Sequence, residues 1–98
     1  MTIIRKLDGE QLYLEPVGRL DTVTSPELSA AIDSDIDKIT SLIIDFGKLD
    51  YISSAGLRVL LTAQKKMNGK GSMKVTNVNE IVSEIFEVTG FSEILTIE

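Results

Sequence analysis

The first apolar residues of the chain fall in two short segments, "TIIRKL" and "QLYLEPV", on either side of "DGE". This pattern is typical of a β-hairpin, because Asp8-Gly9 accepts the positive backbone angles of a tight turn. Pro16 cannot donate a hydrogen bond within a sheet. We therefore expect the second strand to have a bulge or a free edge at that residue.

A helix is predicted to begin at Ser25-Pro26-Glu27, where serine can cap free amides and proline suits the first helical position. Apolar residues at three- and four-residue steps predict one buried face, made of Leu28, Ala31, Ile32, Ile36 and Ile39. The acidic residues between them are expected on a solvated face: Asp33, Asp35 and Asp37. They lack the glycine and the glutamate of a calcium-binding loop.

The rest of the chain alternates between strand and helix patterns. "SLIIDF" predicts a central strand covered on both faces, and "LRVLLTAQKKM" predicts a helix that ends at Asn68-Gly69. "SMKVTNV" predicts a strand, "NEIVSEIFEVTGF" a helix closed by Gly90, and "EILTIE" a short last strand. The order β-β-α-β-α-β-α-β predicts one α/β domain over residues 1–98, with a mixed sheet covered by three helices.

Composition narrows the classes of function. The 98 residues are 43% hydrophobic and 26% charged, which is typical of a globular domain. The net charge of -5 argues against nucleic acid as a partner. No apolar run suits an export signal or membrane insertion, so we expect a cytoplasmic protein. The absence of cysteine and histidine removes the commonest nucleophile activators and metal ligands.

The segment "DYISSAGLRVLL" places Ser53 and Ser54 where an apolar strand gives way to a helix. The first amides of a helix have no internal partners and carry partial positive charge. A serine there can cap those amides, and the same field would stabilise a phosphate attached to the serine. On these grounds alone, an ordinary cap and a modification site both remain open.

The segments "GRLDTVTSPEL" and "LIIDFGKLDYISSAGLRVLL", with "VTNVNEIVSEIFEVTGFSEILTI" after them, resemble the STAS domain of bacterial anti-sigma-factor antagonists. The resemblance covers nearly the whole chain. It implies a monomer that binds an anti-sigma factor with serine kinase activity and so frees the sigma factor. The kinase would then phosphorylate Ser54 and dissociate the pair, and a serine phosphatase would reset it. The residues expected around this site are Asp21, Thr22, Ser53, Ala55, Gly56 and Leu57.

One position departs from the family, which usually has an aspartate before the acceptor serine where this chain has Ser53. Three alternatives therefore stay open: kinase recognition is impaired or the partner differs from the usual one, Ser53 is itself modified, or the domain binds without phosphorylation. A separate hypothesis is an accessory subunit of a membrane transport complex, which is bound constitutively. An enzyme is not expected, since "ISSAG" is not a G-x-S-x-G elbow and no histidine is present. We predict no catalytic residue, no metal and no cofactor, and no phosphate loop supports nucleotide binding.

Overall fold

The computed structural model describes all 98 residues, Met1–Glu98. Strands β1 (Thr2–Asp8) and β2 (Gln11–Leu20) form an antiparallel hairpin in which Asp8 lies opposite Gln11. Gly9 has a φ angle of 60° in the turn, a conformation that glycine adopts without steric cost. The hairpin predicted from the sequence is confirmed.

The elements that follow alternate between helix and strand. They are α1 (Ser25–Asp35), a short 3-10 turn (Ile36–Lys38), β3 (Ser41–Asp45), β4 (Leu49–Ile52), α2 (Ser54–Asn68), β5 (Ser72–Thr76), α3 (Glu80–Thr89) and α4 (Phe91–Ile94). No helix is both long enough and apolar enough to cross a lipid bilayer.

The five strands form a mixed sheet in the order β1-β2-β3-β5, and β4 pairs with β2 alone. All pairs except the first hairpin are parallel. Strand β2 pairs with β3 through Gln11–Leu14 and with β4 through Gly18–Leu20. Pro16 lies in the segment between these two regions, and a register shift follows between Gly18 and Arg19. The missing amide of Pro16 therefore coincides with the place where β2 changes partner.

The predicted single α/β domain with a mixed sheet is confirmed, but two details of the element order are different. Strand β4 is an additional strand, because the chain pairs once more with β2 before α2 begins. The expected last strand is reduced to one parallel bridge between Ile97 and Val75, preceded by the four-residue helix α4.

The helices cover one face of the sheet more completely than the other. Side chains that alternate along the strands are buried on the covered face: Leu12, Leu14, Leu42, Ile44, Met73 and Val75. Their neighbours on the opposite face, such as Tyr13, Ile43 and Lys74, are only half-buried. The expectation that β3 is covered on both faces is therefore wrong, since Ile43 and Asp45 lie on the more open side.

The buried face predicted for α1 is confirmed in part, because Ile36 and Ile39 are buried beyond the end of α1 and Ala31 is half-buried. The three aspartates of this segment do not share one environment. Leu28 and Ile32 join the single hydrophobic core of 21 buried residues. Asp35 is only 3% exposed and forms an ion pair of 2.7 Å with Arg5 of β1. The expectation of a solvated Asp35 is wrong, because the hairpin brings a guanidinium group to the end of α1.

Candidate functional site

Strand β4 determines where α2 begins. It runs parallel to the last residues of β2, with Gly18 opposite Leu49 and Leu20 opposite Ile52. Directly after this pairing, the amide of Ser53 donates a hydrogen bond of 2.8 Å to the carbonyl of Leu20. The loop after β2 and the start of α2 are therefore held together at one corner of the domain.

The two serines at this corner have different environments. Ser54 is the first residue of α2 and is exposed. Ser53 precedes the helix in extended conformation, and its Oγ is buried without a hydrogen-bond partner. The side chain of Ser53 does not cap the helix, and the first turn contains no acidic residue. The ordinary-cap interpretation of this segment is therefore not what the structure contains.

Gly56 and Leu57 lie beneath the corner and do not form part of its surface. Both are buried, Leu57 being 7% exposed. A Cβ atom on residue 56 would lie 2.7 Å from Cγ1 of Ile52 and 3.0 Å from Cβ of Leu20. Leu57, which the resemblance implies to lie around the site, packs into the core and is not exposed for contact with a partner. Gly56 instead allows the first turn of α2 to lie close to β4 and β2.

Asp21 organises the loop before α1. Its Oδ1 accepts hydrogen bonds of 3.0 Å from the amides of both Val23 and Thr24. The hydroxyl of Thr24 donates in turn to the carbonyl of Arg19 at 2.6 Å. The bond from the Thr24 amide is the main reason why the pKa of Asp21 is lowered, and the charge of Arg19 contributes as well. Asp21 is therefore a carboxylate at neutral pH, held by its own loop.

Ser25 does not cap α1, although the sequence predicts that it does. The residue before the helix is Thr24, which makes no side-chain cap, and Pro26 lies in the first turn. The Oγ of Ser25 is buried without a hydrogen-bond partner. The start of α1 is instead held by the turn around Asp21.

A shallow groove of about 370 Å³ separates the first turns of α1 and α2. It brings together two predicted site residues, Thr22 from the loop and Ala55 from α2, with Arg58 one turn further along. Arg58 is exposed and has no ion pair, whereas Arg5 pairs with Asp35 and Arg19 lies 4.7 Å from the Tyr51 ring centroid. Arg58 is not among the residues predicted from the sequence; its position four residues after Ser54 is the signal that could have identified it.

Asp45 and Tyr13 form a separate polar cluster on the open face of the sheet. The phenol of Tyr13 donates to Asp45 at 2.7 Å and also lies 2.9 Å from a carboxylate oxygen of Glu15. Asp45 further accepts hydrogen bonds from the amide of Gly47 and the side chain of Asn77. Burial raises the pKa of Asp45, but these hydrogen bonds outweigh burial and the pKa is lowered. The carboxylate is thus engaged in structural hydrogen bonds at the end of β3.

The donor groups of this corner do not suit a metal. No group of three or more histidine, cysteine, aspartate or glutamate side chains is arranged to hold an ion. What the corner offers is an exposed hydroxyl, uncapped helix amides and one unpaired guanidinium group.

Comparison with known proteins identifies the family to which this chain belongs. The STAS domain profile matches residues 2–98. A candidate anti-sigma factor antagonist of Bordetella bronchiseptica, BtrV, is 34% identical over 94 residues, which is 94% of this chain and 80% of that protein. The chain therefore belongs to the STAS domain family, within the group of anti-sigma factor antagonists. This membership makes it a regulatory domain and not an enzyme, as the sequence predicts.

Several solved structures of other proteins have the same fold as this chain. The unphosphorylated form of the anti-sigma factor antagonist SpoIIAA superposes with a TM-score of 0.85 at 19% identity, over 99% of this chain and 88% of that one. The phosphorylated form of Bacillus SpoIIAA gives a TM-score of 0.78 at 18% identity, over 99% and 91%. A sulfate transporter family protein from Wolinella succinogenes gives 0.77 at 16%, over 92% and 75%.

Proposed function

We propose that this chain binds an anti-sigma factor with serine kinase activity, and that phosphorylation of Ser54 releases the pair. A serine phosphatase would restore the binding form. The partner surface consists of the corner formed by the loop from Asp21 and by the first turn of α2. The protein acts as a monomer in the cytoplasm, without nucleic acid and without inserting into a membrane.

The observation that carries this proposal is the contrast between the two serines. A kinase must bring the γ-phosphate of its nucleotide to the acceptor oxygen, so the acceptor hydroxyl has to be reachable. Ser54 is exposed, whereas the Oγ of Ser53 is enclosed. The contrast favours Ser54 over Ser53 as the acceptor.

The surroundings of Ser54 suit an attached phosphate. The helix start is uncapped and its first turn contains no acidic residue, so a phosphate would find free amides and a favourable dipole. Side chains four residues apart lie on one face of a helix and lean towards its N-terminus. Arg58, which has no ion pair, would therefore provide the nearest cation on α2. The fold itself would tolerate the modification.

A partner in contact with the same corner would not tolerate a phosphate on Ser54. A phosphate adds roughly -1.5 to -2 charges and would have to be desolvated in the interface. A penalty of about 4 kcal/mol corresponds to a roughly thousandfold loss of affinity. The ionised carboxylate of Asp21 lies on the adjoining loop. It would repel a phosphate on Ser54 if a bound partner forced the two groups together.

Three variants test the proposal. Ser54→Ala should keep partner binding and abolish phosphorylation, while Ser54→Asp should keep the fold and weaken binding at least tenfold. Ser53→Ala is the matched control, since its buried hydroxyl accepts no phosphate and the variant should still be phosphorylated. The measurements are affinity for the anti-sigma factor of the same cells and mass mapping of protein purified from them. Phosphate on Ser53, or equal binding by all variants, would refute the mechanism.

A second function is favoured by the serine at position 53. Without a carboxylate before the acceptor, a kinase loses one charged recognition group. The chain would then be an accessory subunit of a membrane transport complex, bound without phosphorylation. Co-purification separates the two functions: recovery of membrane transport components, with no kinase and no phosphate on Ser54, would support this alternative.

A further inference from the structure

Helix α3 exposes apolar residues that no part of the chain covers. Val82 and Phe86 are fully buried on its inner side. Ile81 is 57% exposed and Val88 is 77% exposed, with the half-buried Ile85 between them. The spacing of four and three residues places these three side chains in one row along the helix. A helix with apolar residues on its outer side is normally covered by another element.

The charge of the whole protein is concentrated in the same region. Residues 1–74 carry ten acidic and ten basic side chains, whereas residues 75–98 carry five acidic side chains and no basic one. The entire net charge of -5 therefore lies in the last 24 residues. Three of the acidic side chains, Glu80, Glu84 and Glu87, follow one another along α3.

These three glutamates have no partner within the chain. All three are exposed, and none forms a salt bridge. Elsewhere the exposed carboxylates of Asp33 and Glu98 each have a lysine within 3.4 Å. On a helix with 100° per residue, the glutamate row lies next to the row of Ile81, Ile85 and Val88. The two rows together form one continuous surface, the α3 surface.

We infer that the α3 surface binds a basic amphipathic helix of another protein. The apolar row would take the apolar side of that helix, and the glutamates would pair with its lysines or arginines. Complementary charge of this kind gives specificity and speeds association, while burial of the apolar row supplies affinity. The inference does not rest on the proposed switch, because Ser54 is not part of this surface.

Other occupants fit the α3 surface less well. Nucleic acid and anionic lipid would be repelled by the glutamates. A second copy related by a twofold axis would bring the same patch against itself, and therefore glutamates near glutamates. A metal has no suitable group of ligands here.

The first test uses a synthetic 18-residue helical peptide of leucine and lysine, with leucine at three- and four-residue steps. Its binding to the full chain is measured by calorimetry and by amide NMR. We expect micromolar binding with shifts confined to α3. The double variant I81S/V88S should bind at least tenfold more weakly, and E84Q/E87Q should bind more weakly with less dependence on salt.

Matched controls separate this surface from unspecific attraction. Val23 is 80% exposed and lies in the loop before α1, so Val23→Ser should bind the peptide as the wild type does. The double variant E10Q/D37N removes two acidic charges outside α3 and should also leave binding unchanged. A peptide with the same composition but no apolar side should bind at least tenfold more weakly. Equal binding by I81S/V88S, equal binding of that second peptide, or shifts outside α3 would overturn the inference.

A second test identifies the natural occupant. A photo-crosslinking amino acid replaces Val88 in the full chain, and the crosslinked peptide from native cells is sequenced by mass spectrometry. A segment of another protein with net positive charge and helically spaced apolar residues would support the inference. A crosslink to α3 of a second copy, a crosslink to lipid, or no crosslink at all would overturn it.

Discussion

Replacing Gly56 by alanine tests how tightly the first turn of α2 is packed. The added Cβ atom would lie 2.7 Å from Cγ1 of Ile52 and 3.0 Å from Cβ of Leu20. Both neighbours are buried strand residues, so neither can turn into solvent to make room. We therefore expect the first turn to move outward, with Ser54 at its end.

Two effects of opposite sign determine the stability of G56A. Overpacking a well-packed site costs about 1–3 kcal/mol. Replacing glycine by alanine inside a helix returns about 0.5–1 kcal/mol through lower conformational entropy. The net expectation is a loss of roughly 1–2 kcal/mol in the free energy of unfolding. For a domain of this length, that corresponds to a fall in Tm of about 5–15 °C.

The assay is urea denaturation followed by circular dichroism, with Gly69→Ala as the matched control at the other end of α2. Gly69 has a φ angle of -91°, and a Cβ atom there would meet nothing within 4 Å. Alanine at this position should leave stability unchanged or raise it by about 0.4–1 kcal/mol, because it restricts the unfolded chain. The two substitutions should thus have opposite signs. A G56A protein as stable as the wild type, with unchanged NMR signals around Ser54, would refute the packing argument.

Two further substitutions test the polar contacts. Asp35→Asn should lower the free energy of unfolding by about 1–3 kcal/mol in a urea titration, since it weakens the ion pair of a buried carboxylate with half-exposed Arg5. The surface variant Asp33→Asn should cost less than about 1 kcal/mol in the same titration. Equal losses in the two variants would contradict this reasoning. Tyr13→Phe should raise the pKa of Asp45 in carbon-detected NMR titration, because a donor to the ionised carboxylate is lost. A lowered pKa stabilises the fold above the unfolded value near about 3.9 and loses that effect as pH falls through the folded pKa. Tyr13→Phe should therefore reduce the acid-dependent loss of stability, and an unchanged pKa would contradict the assignment.

Local patterns predicted the elements that are determined locally. The turn at Asp8-Gly9 and the buried row of α1 depend on residues close in sequence. Strand β4 has only four residues and pairs only with the end of β2, about 30 residues earlier in the chain. Nothing within "LDYI" itself distinguishes such a strand from a loop, so it was missed.

The burial of individual polar residues depended on distant contacts for the same reason. Asp35 occurs among alternating aspartates, and only the position of Arg5 on β1, 30 residues away, makes it a buried ion pair. Local sequence patterns do not distinguish Ser53 from Ser54. Ser53, whose amide donates to the carbonyl of Leu20, has a buried hydroxyl, while Ser54, the first residue of α2, is exposed. The sequence could therefore predict the corner but not the difference between its two hydroxyls.

The separation of charge along the chain bears on how far a phosphate on Ser54 would act. Asn79, which caps α3, donates to the carbonyl of Leu49 at the first residue of β4, whereas Ser54 lies two residues after Ile52, the last residue of β4. Strand β4 thus lies between the N-cap of α3 and the first turn of α2, and exposed charges are screened over about 8 Å at physiological salt. A phosphate on Ser54 would therefore add its charge and bulk at the α2 corner and would not occupy the α3 surface. A partner held at α3 should accordingly keep its affinity in S54D, while a partner at the α2 corner should lose it.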